Sequence, residues 1–287
     1  MKRIDITTSS WSDYALLDSG EGRKFERFGE MLLDRPDPQA LWQKSAPALW
    51  TKAAAYFAWT TAGEKWKVSK GVSQEWEIAW GTLRFSLALG KFKHIGIFPE
   101  HYEQWKEIAA LCRTHKGTRV LNLFGYTGAA SLAAAAEGAI VTHVDASKQT
   151  IGTVKENIAR SGLPVSVVRL ICEDALKYAK RLIQRGETFD IIVMDPPAFG
   201  RGPKGEIWKI EEKLTDLLAL VPALLSDTPR LVLLNGYAAG YSARSFGELL
   251  SDALKSSVGQ ISYGDVGIPQ EKSERILSTG IYAAWRA

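Results

Sequence analysis

Three acidic clusters follow one another along this chain, each closing an apolar run: Val144-Asp145, then Glu173-Asp174-Ala175, then Asp195-Pro-Pro-Ala-Phe199. A carboxylate in such a place can accept hydrogen bonds from both hydroxyls of a ribose or from an amine. Upstream lies Leu121-Asn-Leu-Phe-Gly-Tyr-Thr-Gly128, an apolar run that ends in a glycine turn. Glycine lets a backbone bend sharply and lie against a ligand, and a helix starting after the turn offers unpaired N–H donors. The spacing is not the G-x-G-x-x-G of dinucleotide sites. Phe124, Tyr126 and Thr127 stand among only two glycines, which leaves a bulkier and less phosphate-like lining.

A parallel sheet is what would bring these residues together. Residues 120–124 are short and apolar like a buried parallel strand, and the alanine-rich stretch 129–136 reads as the helix after the turn. Residues 138–145, 165–170, 189–194 and 231–237 repeat the strand pattern. Each polar cluster therefore falls at the carboxyl end of a predicted strand, where open α/β sheets bind ligands. The expected fold class is α/β, a doubly wound Rossmann-like sheet with a small N-terminal β-rich appendage. An amphipathic helix over 102–112 leads into the first strand, a helix over 211–225 covers the sheet, and 261–285 supplies an antiparallel pair joined at 270–275.

Asp195, Pro196, Pro197 and Phe199 form the expected reaction centre. Two prolines after a buried strand forbid both helix and ladder pairing, so carbonyls and one carboxylate face the cleft as a rigid acceptor array. The alternative is that Pro-Pro only turns the chain. Next comes Gly200-Arg-Gly-Pro-Lys-Gly205, which lacks the Lys-Ser/Thr ending of a nucleoside triphosphate loop. It is either a lid whose Arg201 and Lys204 order on a substrate phosphate or a solvated surface turn. Residues 235–242, with Asn235 as a substrate ligand, are expected to line the target pocket.

In their order, Leu121 to Gly128, Val144-Asp145, Glu173-Asp174-Ala175 and Asp195-Pro-Pro-Ala-Phe199 resemble the class I S-adenosylmethionine-dependent methyltransferases. The likeness is strongest to the branch holding the bacterial large-subunit ribosomal RNA methyltransferases. Phe199-Gly-Arg-Gly-Pro-Lys-Gly-Glu206 resembles one uncharacterised bacterial subgroup, and the likeness runs from about Gly90 to the C-terminus. One glycine turn is a weak signal, whereas four motifs in sequence order are specific.

The resemblance implies that Phe124, Gly125, Tyr126, Thr127 and Gly128 cradle the methionine end and ribose of S-adenosyl-L-methionine. It implies that Asp145 takes the ribose hydroxyls, or else caps the helix after it. Asp174, with Ala175, takes the adenine amine, or else caps the basic helix over 175–185. Asn122 departs from the carboxylate many relatives place there, and is either a cofactor ligand or an amide fixing the turn. Phe98, Pro99 and Glu100 belong to a segment that closes over the cofactor in the family.

Methyl transfer begins from an already activated leaving group, so positioning supplies most of the catalysis. Asp195 is expected to orient the acceptor or take its proton. Ala198 follows Pro-Pro, with the aromatic Phe199 one place later, as in the ribosomal RNA branch. No cysteine stands beside Pro-Pro or within 231–237, which argues against cytosine carbon-5 chemistry and for nitrogen or oxygen methylation of RNA. Rival readings are methylation of a protein or small molecule, a nicotinamide dehydrogenase of the same fold, and a non-catalytic RNA-binding module.

Composition sets the bounds. The chain has 287 residues, 46% hydrophobic and 24% charged, which suits a catalytic domain over 82–287 and a small tryptophan-rich module over 1–81. A net charge of +4 permits a polyanionic partner without demanding one. The two cysteines, Cys112 and Cys172, make neither a disulfide framework nor a zinc site, so no metal is expected. There is no signal peptide and no run long enough to span a bilayer, so the expectation is a cytoplasmic protein with no membrane partner.

Within the module, residues 14–18 and 24–33 read as a hairpin and Asp34-Arg-Pro-Asp-Pro38 as a break. Six of the ten tryptophans lie from Trp42 to Trp80. They either stack bases beside Lys65, Lys67 and Lys70 or fill a small core, and the second reading is favoured. His94 reads as an ordinary surface or capping histidine.

Overall fold

The computed structural model describes residues 1–60, 63–237 and 240–287. The chain divides into two compact units, Met1–Ile6 with Gln104–Val266 and Gly280–Ala287, and Thr7–Glu103 with Gly267–Thr279.

The first unit is built on β1 (Arg119–Leu123), β2 (Ile140–Asp145), β3 (Val168–Cys172), β4 (Ile191–Met194) and β5 (Leu231–Gly236), with β6 (Gln260–Pro269) as far as Val266 and β7 (Ile276–Arg286) from Gly280. Their order across the sheet is β3-β2-β1-β4-β5-β7-β6, with Lys2–Arg3 beyond β6. Pairing is parallel from β3 through β5 and antiparallel between β5 and β7. The helices are α1 (Tyr102–Thr114), α2 (Ala129–Ala136), α3 (Lys148–Arg160), α4 (Ala175–Gln184), α5 (Ile210–Leu218), α6 (Val221–Leu224) and α7 (Ala243–Ala253).

The central strands are apolar because both faces are covered. Leu121, Leu123, Val144, Ile192, Met194, Val232 and Leu234 share one core with Leu176 and Ala179 of α4, Leu214 and Leu217 of α5, and Phe246 and Leu250 of α7. Helices α2 and α3 pack on β1, β2 and β3. The chain leaves β1 toward β2 on one side and returns at β4 on the other. Open α/β sheets bind ligands at such a reversal, beyond the carboxyl ends of the strands, here those of β1 and β4.

Three local expectations change. The helix over 211–225 is two, because Pro222 has no N–H to give and its ring collides with the preceding turn. Residues 165–167 make a tight turn, and the strand begins at Val168. Residues 200–205 are not a free loop, because Phe199–Arg201 pairs antiparallel with Ile207–Lys209.

The second unit holds a five-stranded sheet, Tyr14–Gly20, Arg23–Phe28, Met31–Pro36, Ala55–Thr60 and Gly63–Val68, and the hairpin Glu75–Trp80 with Leu83–Ala88. The expected first hairpin is a three-strand meander, since Gly29, at φ +60, allows a second turn inside residues 24–33. Residues 34–36 continue the third strand instead of breaking it. The boundary expected at 81/82 falls in the turn of the Glu75–Trp80 hairpin, whose ladder keeps both strands in one unit.

Trp50 stacks on Phe25 at 5.3 Å and donates to Asp18 Oδ2 at 2.8 Å, while Trp42 donates to the Ser19 carbonyl and Trp66 to that of Phe92. These indoles pack and bond within the unit. His94 is half-buried, and burial beside the charges of Arg35 and Lys93 lowers its pKa to about 3. Among the described residues no helix is long and apolar enough to cross a membrane.

Candidate active site

The turn after β1 is tight and tied from below. Phe124 and Tyr126 have φ values of 57° and 51°, a region that bulky residues seldom occupy unless the surroundings enforce it. Gly125 donates to the Val144 carbonyl at 3.0 Å, and Gly128 donates to the Gly125 carbonyl at 3.0 Å before opening α2 at φ 92°. A Cβ at position 125 would overlap the His143 ring and lie 3.0 Å from Asn122 Nδ2. The glycine is therefore demanded by what lies beneath it as well as by the turn.

Beneath it runs a buried polar chain. Asn122 Nδ2 donates to Ser131 Oγ at 2.9 Å, and Ser131 Oγ lies 2.9 Å from His143 Nδ1. Burial pushes the His143 pKa down to about 4, so the ring is neutral near pH 7. On the α3 side, buried Asn157 donates to the Thr127 carbonyl at 3.0 Å. Asn122 thus ties β1 to Ser131 of α2 beneath the turn.

At the end of β2, Asp145 Oδ2 accepts from Tyr126 N–H at 3.0 Å and Oδ1 from Ser147 N–H at 2.9 Å. Burial raises its pKa, and these two donors oppose the rise. The cap of α3 is Ser147, whose Oγ accepts from Thr150 N–H, so Asp145 does not fill that role. After β3, Asp174 is the N-cap of α4, its Oδ1 accepting from Lys177 N–H at 2.9 Å, and buried Ala175 is the first helical residue. Glu173 pairs with Arg181 at 3.1 Å and with Lys177 at 3.8 Å.

At the end of β4, Asp195 N–H reaches the Leu123 carbonyl at 3.4 Å, joining the rims of β1 and β4. Asp195 is half-buried, Pro196 buried, Pro197 and Ala198 exposed, and Phe199 is 55% exposed. The Pro197 carbonyl accepts from Trp208 Nε1 at 2.7 Å, and the Trp208 ring meets Phe124 edge-on at 4.7 Å. The Arg201 guanidinium lies 6.0 Å from the Phe199 centroid. Arg201 and Lys204 are exposed, and Glu206 steadies the hairpin tip by accepting from Lys204 N–H at 2.9 Å and pairing with Lys177 at 3.5 Å.

Phe124 to Gly128, Asp145, Asp174 and Asp195 thus follow neighbouring strands at one rim of the sheet. Asn235 is different. It is 3% exposed, and its amide exchanges two hydrogen bonds with Gln104 of α1, at 2.8 and 2.9 Å. Two of the expected pocket positions, 238 and 239, lie outside the described residues. Phe98, Pro99 and Glu100 belong to the other unit, with Pro99 and Glu100 buried there in the short turn Pro99–His101.

Sequence reasoning passed over Ser131, His143, Asn157 and Trp208. One signal was present: Asn122 and His143 are polar residues at the centre of two successive apolar strands, and they stand opposite each other in the β1–β2 register. A buried polar residue asks for a partner.

The family model for S-adenosylmethionine-dependent methyltransferases matches residues 56–240. The ribosomal RNA large subunit methyltransferase K/L of Shewanella baltica (strain OS195) is 31% identical over 190 residues, 66% of this chain and 25% of that protein. The ribosomal RNA large subunit methyltransferase K of Neisseria meningitidis serogroup B is 32% identical over 149 residues, 50% of this chain and 41% of that protein. The chain thus spans less than half the length of these relatives. A crystal structure of a methyltransferase of this type from Agrobacterium tumefaciens superposes with a TM-score of 0.95 at 36% identity, covering 99% of this chain and 93% of that one.

The residues present fit the cofactor this family uses. Asp145 and Asp174 offer carboxylate acceptors for hydroxyls and an amine, and Asp195 adds negative charge on the same rim, which suits a cation. S-adenosylmethionine supplies a methyl group on positively charged sulfur. A family match across more than half the chain agrees with the strand order and the tethered glycine turn at its switch point, and the chain belongs to the S-adenosylmethionine-dependent methyltransferase family.

Proposed function

We propose that this protein methylates RNA, ribosomal RNA foremost, at nitrogen or oxygen. The observation that carries this reading is the surface directly after Asp195-Pro-Pro: an exposed aromatic face, Phe199, with the Arg201 guanidinium beside it and Lys204 at the hairpin tip. A base stacks on such a face, and guanidinium and ammonium groups take the phosphates next to it. The names of the two relatives point to the same substrate class, and such a substrate sets the reaction in the cytoplasm.

In this reading Phe124, Gly125, Tyr126, Thr127 and Gly128 hold the methionine end of the cofactor, Asp145 its ribose, and Asp174 with Ala175 its adenine. Asp195 accepts a hydrogen bond from the acceptor group and orients its lone pair, and Pro196 and Pro197 keep that carboxylate and the neighbouring carbonyls rigid. Carbon-5 chemistry on cytosine needs an accessible thiolate. Cys112 is 1% exposed, with burial pushing its pKa up to about 12, and the Cys172 thiol lies 3.6 Å from the Ala146 carbonyl.

The test is incubation with methyl-labelled S-adenosylmethionine and ribosomal RNA from a strain deleted for the gene, followed by mass-spectrometric mapping. Label at one nucleotide, lost in Asp195→Ala, is expected. Label only in protein or small-molecule fractions would overturn the RNA assignment while keeping the reaction class.

A further inference from the structure

Trp208 is 3% exposed, in the second hairpin strand opposite Gly200. One end of its indole donates to the Pro197 carbonyl at 2.7 Å, and the ring meets Phe124 at 4.7 Å with planes 60° apart. The residues so joined have separate tasks. Phe124, partly exposed at φ 57°, begins the turn that would hold the cofactor, whereas Pro197 lies two places after Asp195 in the loop that would hold the acceptor. Close-packed side chains transmit a displacement because they have no free volume in which to absorb it. Gly200 lies beside both residues, since a Cβ there would meet Pro197 Cγ at 3.4 Å and Trp208 Cβ at 3.8 Å, ordinary contact distances. The Ile210 N–H, bonded to the Ala198 carbonyl at 3.0 Å, fixes the loop on its other side.

We propose that Trp208 is a positioning residue coupling the cofactor turn to the acceptor loop, so that occupancy felt at Phe124 sets the direction of the Pro197 carbonyl and the alignment of Asp195. The inference rests on the methyltransferase reading and deepens it. Trp208 is buried, and it acts through the two residues it joins.

Fluorine resonance of protein labelled with 5-fluorotryptophan tests this without any acceptor. The Trp208 signal is assigned by its loss in Trp208→Phe, or in Trp208→Tyr should the first variant fail to fold. Saturation with S-adenosylhomocysteine should shift that signal, and the shift should fall by more than about half in Phe124→Leu, where the edge-on ring contact is gone. Calorimetry runs in parallel. Absence of binding heat would sink the cofactor reading and the coupling together, whereas heat with an unmoved Trp208 signal would overturn the coupling alone.

In the transfer reaction, Trp208→Phe keeps a ring against Phe124 and loses the N–H to Pro197. Its S-adenosylhomocysteine Kd should stay within about twofold while kcat falls roughly tenfold. A purely structural tryptophan would lower thermal stability without that split. If no RNA is methylated, the RNA assignment fails and the resonance experiment still decides the coupling.

Discussion

Asp145 Oδ2 accepts the backbone N–H of Tyr126 at 3.0 Å, so the carboxylate that ends β2 also shapes the turn that ends β1. Its other oxygen holds Ser147 N–H, and each oxygen keeps a further lone pair for a ligand. Asp145→Ala should lower S-adenosylmethionine affinity on the order of a hundredfold by calorimetry, since charged hydrogen bonds are lost. Asp145→Asn separates the two roles: one amide oxygen can still serve a backbone donor, so stability should partly return while affinity does not. Retained binding in the alanine variant would remove the ribose assignment.

Gly125 has the His143 ring and Asn122 directly beneath it. Gly125→Ala should destabilise the protein by about 1 to 3 kcal/mol through overpacking and should weaken cofactor binding as the turn is lifted. Combining it with His143→Ala vacates the space. Thermal melts should then show the double variant more stable than the sum of the two single losses, and strict additivity would mean the two positions are not in contact.

The sheet and the turn are legible in the sequence because buried parallel strands are plain apolar runs and a ligand turn between strand and helix needs glycine. Asp145 and Asp195 are placed by the same logic, at strand ends. What local pattern does not contain is partnership at long range. Gln104 meets Asn235 across 131 positions of sequence, so an amide expected to face a substrate is engaged by another amide. Trp208 gains its contacts only because residues 199–209 fold into a hairpin, which a run rich in glycine and lysine does not announce.

Burial holds the His143 pKa near 4, against 6.5 in an unfolded chain. The folded state therefore favours the neutral ring, and this contribution is complete above about pH 6.5 and lost as pH falls toward 4, because there the unfolded chain binds the extra proton. The whole effect is at most about 3 kcal/mol. His94, lowered to about 3 in the other unit, acts in the same direction over a wider window. Denaturant midpoints measured from pH 7 to pH 4 should fall less steeply in His143→Gln than in the parent, by about one proton, and parallel slopes would contradict a buried neutral ring.

Asn235 and Gln104 satisfy each other, so removing one leaves the other buried and unpaired. Asn235→Ala should cost about 1 to 3 kcal/mol in unfolding free energy. Replacing both by leucine removes the polar groups together and should recover most of that loss. Methylation by the double variant then decides whether Asn235 serves the substrate: an unchanged KM for RNA would take it out of the substrate site, whereas a raised KM in a stable protein would place it there.

Asp174 has two possible tasks, and serine distinguishes them. Its Oδ1 caps α4 by accepting from Lys177 N–H at 2.9 Å, a role that serine fills about as well as aspartate. If the other oxygen also receives the adenine amine, Asp174→Ser should melt close to the parent yet bind S-adenosylhomocysteine about tenfold more weakly. Asp174→Ala should lose both, with about 1 kcal/mol of stability going with the cap. The inosine analogue of the ligand, which has no exocyclic amine, completes the argument: the parent should discriminate against it and the serine variant should not. Equal discrimination by both proteins would leave Asp174 a helix cap and nothing more.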